Sequence, residues 1–174
     1  VMGPNSRTFL QGLTSADLSN DAFPFATARD IDLGYARVRA ARITYVGELG
    51  WELYIPTECA AGVYDVIEQA GKAVDLAQCG YHALDSLRIE KGYRHWGHDI
   101  TDEDTPIEAG LGFAVRFSKE MQYNGRERLM RQKEFGVFKR LVTFVLEDTN
   151  RLLYHNEPIF RDGEIVGYIT SGMF

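Results

Sequence analysis

Apolar and polar residues alternate most clearly between Tyr35 and Ile55, and that alternation predicts two antiparallel strands. The first, residues 35–46, interleaves Arg37, Arg39 and Arg42 with small and branched apolar residues; its partner is residues 51–55. Gly47 and Gly50 bracket a four-residue turn between them, the punctuation of a hairpin. With Val46 paired to Trp51, Tyr45 lies opposite Glu52 and Ile43 opposite Tyr54. Side chains alternate along a strand, so these four share one face, while Thr44, Val46, Trp51, Leu53 and Ile55 share the other. Glu52 is then a carboxylate on a partly apolar face, where it needs hydrogen-bond donors. A ligand or another part of the protein would supply them.

The rest of the chain follows the same grammar. Residues 4–13 read as a short helix with Phe9, Leu10 and Leu13 on its apolar side, followed by a polar stretch to residue 21. Val63, Val66, Ile67 and Ala70 recur at helical spacing within residues 60–73. A second helix over residues 81–91 is closed by Gly92. Residues 93–112 form an acidic and aromatic loop, 113–117 a strand, and 127–135 a helix closed by Gly136. Three more strands are predicted at residues 139–146, 157–160 and 165–170, with a turn at 161–164 between the last two. The fold class is α+β: a mixed part over residues 1–117, then a smaller, strand-rich part over 118–174. The boundary is placed in the polar stretch 118–125.

Length and composition bound this picture without changing it. The 174 residues suit one medium domain or a large and a small one, and 45% hydrophobic content can bury a real core. A net charge of -6 excludes a phosphate-binding nucleic-acid surface, which needs a clustered basic excess. No apolar run is long enough to span a membrane, and no signal peptide is visible. Cys59 and Cys79 form no metal motif and read as reduced thiols of a cytoplasmic protein, or of the mitochondrial matrix in a eukaryote. His95 and His98 are three apart, but Gly97 between them argues against a shared helical face, so no metal site is expected. The chain opens on apolar Val1 and Met2 and stops just after a predicted strand, which reads as a segment of something longer.

One helix carries a second unusual placement. In residues 81–91, Leu84 and Leu87 mark the apolar stripe, and Arg88 leans toward it. A guanidinium there must reach solvent along its stem or meet an acid. Asp85 is three residues back and offers a local partner; a carboxylate elsewhere in the protein, or in a ligand, is the alternative. One inward acid and one inward base are the parts of a polar pocket in an apolar wall.

These residues carry a family resemblance. YVGELGWEL, ALDSLRIEKGYRHWGHDITDEDTPIEAGLGFAV, YNGRERL and GYITSG resemble the glycine-cleavage T-protein (aminomethyltransferase) family. The likeness is greatest to the folate-binding C-terminal region of dimethylglycine and sarcosine dehydrogenases or oxidases. It covers nearly the whole chain and implies a T-protein-like folate-binding fold with a partial C-terminal β-barrel. It implies tetrahydrofolate as the acceptor of a one-carbon unit from an aminomethyl or iminium donor, giving methylenetetrahydrofolate. By the same resemblance Tyr45 and Glu52 contact the pterin ring, and Arg88 and Trp96 help line the site; Glu108 matches a family position without an assigned role.

The resemblance also marks departures. The family's catalytic Asp lies upstream of the segment matched by Gly3 and Pro4, so no catalytic residue is assigned; Asp17, Asp21, Asp30 and Asp32 stand in the wrong context to replace it. No G-x-G-x-x-G flavin motif is present, which places any flavin dehydrogenase domain elsewhere on a full-length protein. Three functions therefore compete. The chain is a one-carbon transferase region, a non-catalytic folate-capturing module of such a dehydrogenase, or a relative of the fold without transferase activity.

Overall fold

A computed structural model describes residues 1–173. The chain forms two compact units, residues 1–91 and 92–174. The architecture is α+β, as expected.

The first unit is built on a three-stranded antiparallel sheet of β1 (Ala28–Leu33), β2 (Ala36–Ala41) and β3 (Glu52–Tyr54), in the order β1-β2-β3. Helix α1 (Ser6–Gln11) precedes the sheet; α2 (Ala60–Gly71) and α3 (Tyr81–Glu90) follow it. Alternation decides which side is buried. Ile31, Leu33, Ala36, Val38 and Ala40 point into a core with Leu10, Leu18, Phe23, Trp51 and Val63. Leu49, Leu53, Ile55, Val66 and Ile67 pack on its margin. Trp51 is completely buried, its ring meeting Phe23 edge-on at 6.0 Å. Of Thr44, Val46, Trp51, Leu53 and Ile55, expected on the apolar side, Trp51, Leu53 and Ile55 pack in or on this core, Val46 is buried outside it, and Thr44 is half-buried.

The register corrects the predicted hairpin. Arg39 pairs with Tyr54, Ala40 with Leu53 and Ala41 with Glu52. The residue opposite Glu52 is thus Ala41, and Tyr45 and Ile43 lie outside the ladder. The physical reason is the second partner of residues 42–51. Val1 and Trp51 exchange two hydrogen bonds of 2.9 Å, Gly3 N–H donates to Leu49 O at 2.8 Å, and Met2 bridges Gly50. Those bonds hold 49–51 against the first residues of the chain, so the strands join through a ten-residue loop instead of a tight turn. Strand β1 escapes the sequence reading because Arg29, Asp30 and Asp32 leave it only Ile31 and Leu33 as apolar signal.

The second unit begins with Gly92, whose φ of +64° ends α3 as predicted. Residues 93–112 are turns, and a 3-10 turn (Gly112–Ala114) stands where a strand was predicted at 113–117. Helix α4 (Arg126–Phe135) ends at Gly136, as expected. Strands β4 (Pro158–Arg161) and β5 (Glu164–Tyr168) form an antiparallel hairpin around Asp162 and Gly163. Residues 139–146 take no strand assignment, against expectation. An extended segment becomes a strand only through ladder bonds, and its recorded backbone bond here is Leu141 N–H to Glu108 O, 2.9 Å. The sheets of the described residues are open, consistent with a partial barrel.

Candidate functional site

The sheet of the first unit leaves its second face uncovered. Asp30 and Asp32 of β1, Arg37, Arg39 and Ala41 of β2, and Glu52 and Tyr54 of β3 share it by register. Charges on this face pair across strands: Arg39 Nε donates to Asp30 Oδ1 at 2.9 Å, and Arg37 lies 3.5 Å from Asp32. The Asp30 carboxyl is held below its ordinary range, chiefly by the hydrogen bond from Arg39. Both arginines of the face are thereby matched to an aspartate; Glu52 forms no salt bridge among the described residues, and the cation that feels its charge is the Val1 ammonium.

Glu52 is half-buried at the end of β3, beside the small side chain of Ala41. The Tyr54 hydroxyl donates to Glu52 Oε2 at 2.8 Å. That bond, and the charge behind it, holds the Tyr54 phenol above its ordinary pKa. Among the described residues the Glu52 carboxylate has no other hydrogen bond or salt bridge. A carboxylate offers about four acceptor positions, so three remain. A shallow groove of about 530 Å³ runs along the same face, lined by Asp30, Arg37, Arg39, Tyr54 and Pro56 among others. That volume lies within the ordinary range for small-molecule sites.

The other expected site residues occupy different settings. Tyr45 is half-buried in the 42–51 loop. Arg88, on α3, is 2% exposed, and its Nε donates to Asp85 Oδ1 at 3.0 Å. The local partner anticipated from the sequence is therefore present, and its geometry is a charge-assisted hydrogen bond in a dry setting.

Trp96 belongs to the second unit and is 67% exposed. It sits in a tightly tied loop. His95 O accepts from the N–H groups of His98 and Asp99, Gly97 N–H donates to Ile100 O at 2.7 Å, and Asp99 Oδ2 accepts from His95 N–H at 2.9 Å. Gly97 takes φ +82°, a conformation that costs a residue with Cβ. A rigid loop with an exposed indole is a stacking surface. The rings of His95 and His98 lie 5.6 Å apart and those of His98 and His155 5.2 Å apart, an association that sequence spacing did not show. No group of three His, Cys, Asp or Glu among the described residues is arranged to hold a metal.

Sequence reasoning left Glu108 without a role, and the structure supplies one. Glu108 Oε2 accepts from Thr105 N–H at 2.8 Å, while Thr105 Oγ1 accepts from Glu108 N–H at 3.2 Å. This reciprocal pair is a capping box, and the T-x-x-E spacing was its available signal. Of the four aspartates considered for catalysis, Asp17 caps its own turn through Ser19 N–H at 2.8 Å. Asp30 and Asp32 serve the charge ladder of the sheet.

Residues 1–119 match the GCVT N-terminal domain family, and residues 139–174 match the glycine cleavage T-protein C-terminal barrel domain. The chain is 44% identical over its full length to human mitochondrial sarcosine dehydrogenase and 38% identical to human mitochondrial dimethylglycine dehydrogenase. It spans 19% and 20% of those proteins. The crystal structure of the glycine cleavage system aminomethyltransferase T from Bartonella henselae superimposes with a TM-score of 0.79 at 25% identity. That likeness covers 99% of this chain and 46% of the other. Sequence and fold agree, and the chain belongs to the glycine cleavage T-protein family.

Proposed function

We propose that this chain is the tetrahydrofolate-binding region of an aminomethyltransferase-type domain. A one-carbon unit passes there from an aminomethyl or iminium donor to a folate nitrogen, giving methylenetetrahydrofolate. The observation that carries the reading is Glu52: the carboxylate of the open sheet face without a salt bridge, with acceptor positions to spare. A pterin edge presents an amine and a ring N–H side by side, and a carboxylate accepts both in a paired, charge-assisted way. In the first unit Tyr45 borders the pterin and Arg88 supports the site from α3. The protein acts by positioning and electrostatics. We take the domain boundary within 118–125, a reading supported by a first family match that ends at residue 119 and a second that begins at 139.

Calorimetric titration with folinic acid tests the reading. We expect saturable binding to the chain, weakened by about 1–3 kcal/mol in Glu52→Ala, the cost of losing a charged hydrogen-bond partner. Equal affinity in a folded Glu52→Ala variant would remove Glu52 from the site, and no binding by the folded wild-type chain would overturn the reading.

A second reading is supported by the likeness to about a fifth of sarcosine dehydrogenase. In it, this region captures folate for a flavin dehydrogenase domain of the same polypeptide, which makes the iminium. In such a full-length protein Glu52→Ala would leave amine oxidation intact and release formaldehyde in place of methylenetetrahydrofolate. Two similar proteins are named mitochondrial, which supports the mitochondrial matrix as the location in a eukaryote.

A further inference from the structure

We infer that Tyr54 is a positioning residue for Glu52, fixing the carboxylate so that two parallel N–H donors of a ligand meet it together. The inference rests on the folate reading above and extends it to a residue which that reading leaves unused. Three observations carry it. The Tyr54 hydroxyl donates to Glu52 Oε2 at 2.8 Å, and the two residues are two apart on β3, so both project from the open face. The residue across from Glu52 is Ala41, whose methyl group offers no competing hydrogen bond. The guanidinium across from Tyr54, on Arg39, is already engaged by Asp30 at 2.9 Å.

The geometry gives this bond a purpose. A glutamate with three free torsions must be ordered before two donors can meet it at once, and ordering it beforehand spares the ligand that cost. Tyr54 occupies one acceptor position on Oε2. It leaves the second position of Oε2 and both of Oε1, which is enough for the two donors of an adjacent amine and ring N–H. Tyr54 is 57% exposed and borders the groove, so its ring also forms part of the wall beside a ligand held by Glu52.

A double-mutant cycle in the 174-residue chain tests this, with folinic acid as the probe and near-ultraviolet circular dichroism to confirm folding. Tyr54→Phe keeps the ring and removes the hydroxyl; we expect Kd to rise about three- to tenfold. In a Glu52→Gln background the same change should alter Kd by less than about twofold, because no charged acceptor remains to be positioned. Equal Kd for Tyr54→Phe and wild type overturns the inference while leaving the folate site standing. An equal loss in both backgrounds also overturns it, since Tyr54 would then act on its own. Absence of any saturable binding to the wild-type chain overturns the folate reading and this inference with it.

Discussion

Gly50 sits where residues 1–3 cross the end of the 42–51 loop, and its missing side chain decides the local geometry. A Cβ there would lie 2.5 Å from Val1 O and 2.8 Å from the Met2 Cα, both backbone atoms that cannot swing aside. Gly50→Ala should therefore destabilise the chain by about 1–3 kcal/mol, as overpacking does. A denaturant midpoint unchanged from wild type would show that the crossing relaxes freely. Arg88 makes a different argument at the same scale. It is buried with Asp85 as a partner, so Arg88→Ala removes a charge-assisted hydrogen bond and opens a cavity. We expect a clear loss of melting temperature, and in addition weaker folinic acid binding in the protein that stays folded. A loss of stability alone would reduce Arg88 to its pairing with Asp85.

At the scale of elements, the turn over residues 105–108 shows how a capping box fixes irregular backbone. Glu108 is held below the ordinary carboxylate pKa, first by Thr105 N–H, and Asp104 is held low, first by Lys139 at 2.8 Å. A carboxylate whose folded pKa is depressed stabilises above its unfolded value and loses that contribution as pH falls through the folded value. Both unfolded values lie near 4, so the stability of this region should be level above about pH 5 and decline toward pH 3. Glu108→Gln should lower stability by about 1 kcal/mol at pH 7 and flatten that acid decline. An unchanged acid limb in the variant would assign the decline to other carboxylates. Lys139 shifts the opposite way, raised chiefly by Asp104, so its contribution is full at neutral pH and lost only in strong base. Both groups of the Lys139–Asp104 pair retain solvent contact, which keeps its worth to about 1 kcal/mol or less.

At the scale of the whole molecule, buried apolar surface is unevenly shared. The ten-residue core from Leu10 to Val63 lies wholly within residues 1–91. In residues 92–174 the buried hydrophobic residues among those described are Ala109 and Leu129, while Phe113, Phe138, Val145 and Ile165 are exposed. Because burial supplies most of the driving force of folding, a fragment of residues 1–91 should melt cooperatively on its own. Residues 92–174 alone should give poorly dispersed amide spectra. Exposed apolar residues and open strand edges also predict concentration-dependent association of the 174-residue chain, readable by light scattering. A monomer at all concentrations would show that the charge of the surface outweighs those edges.

The sequence by itself determined the α+β class, the family, all four helices to within two residues, the β4–β5 hairpin and the apolar side of Trp51. These rest on local signals: a 3.6-residue or two-residue period, glycines at helix ends, and a long motif. Only the tertiary structure decided the register of β2 and β3, because the competing partner of Leu49, Gly50 and Trp51 lies some fifty residues away at Val1–Gly3. It also decided that β1 is a strand, since two apolar residues among charges become one only when Asp30 and Asp32 meet Arg39 and Arg37. Glu52 was visible as an acid out of place from its two neighbours in sequence. That Ala41, and not Tyr45, stands opposite it was not, because a slip of register changes every opposite neighbour while leaving the pattern of each strand the same.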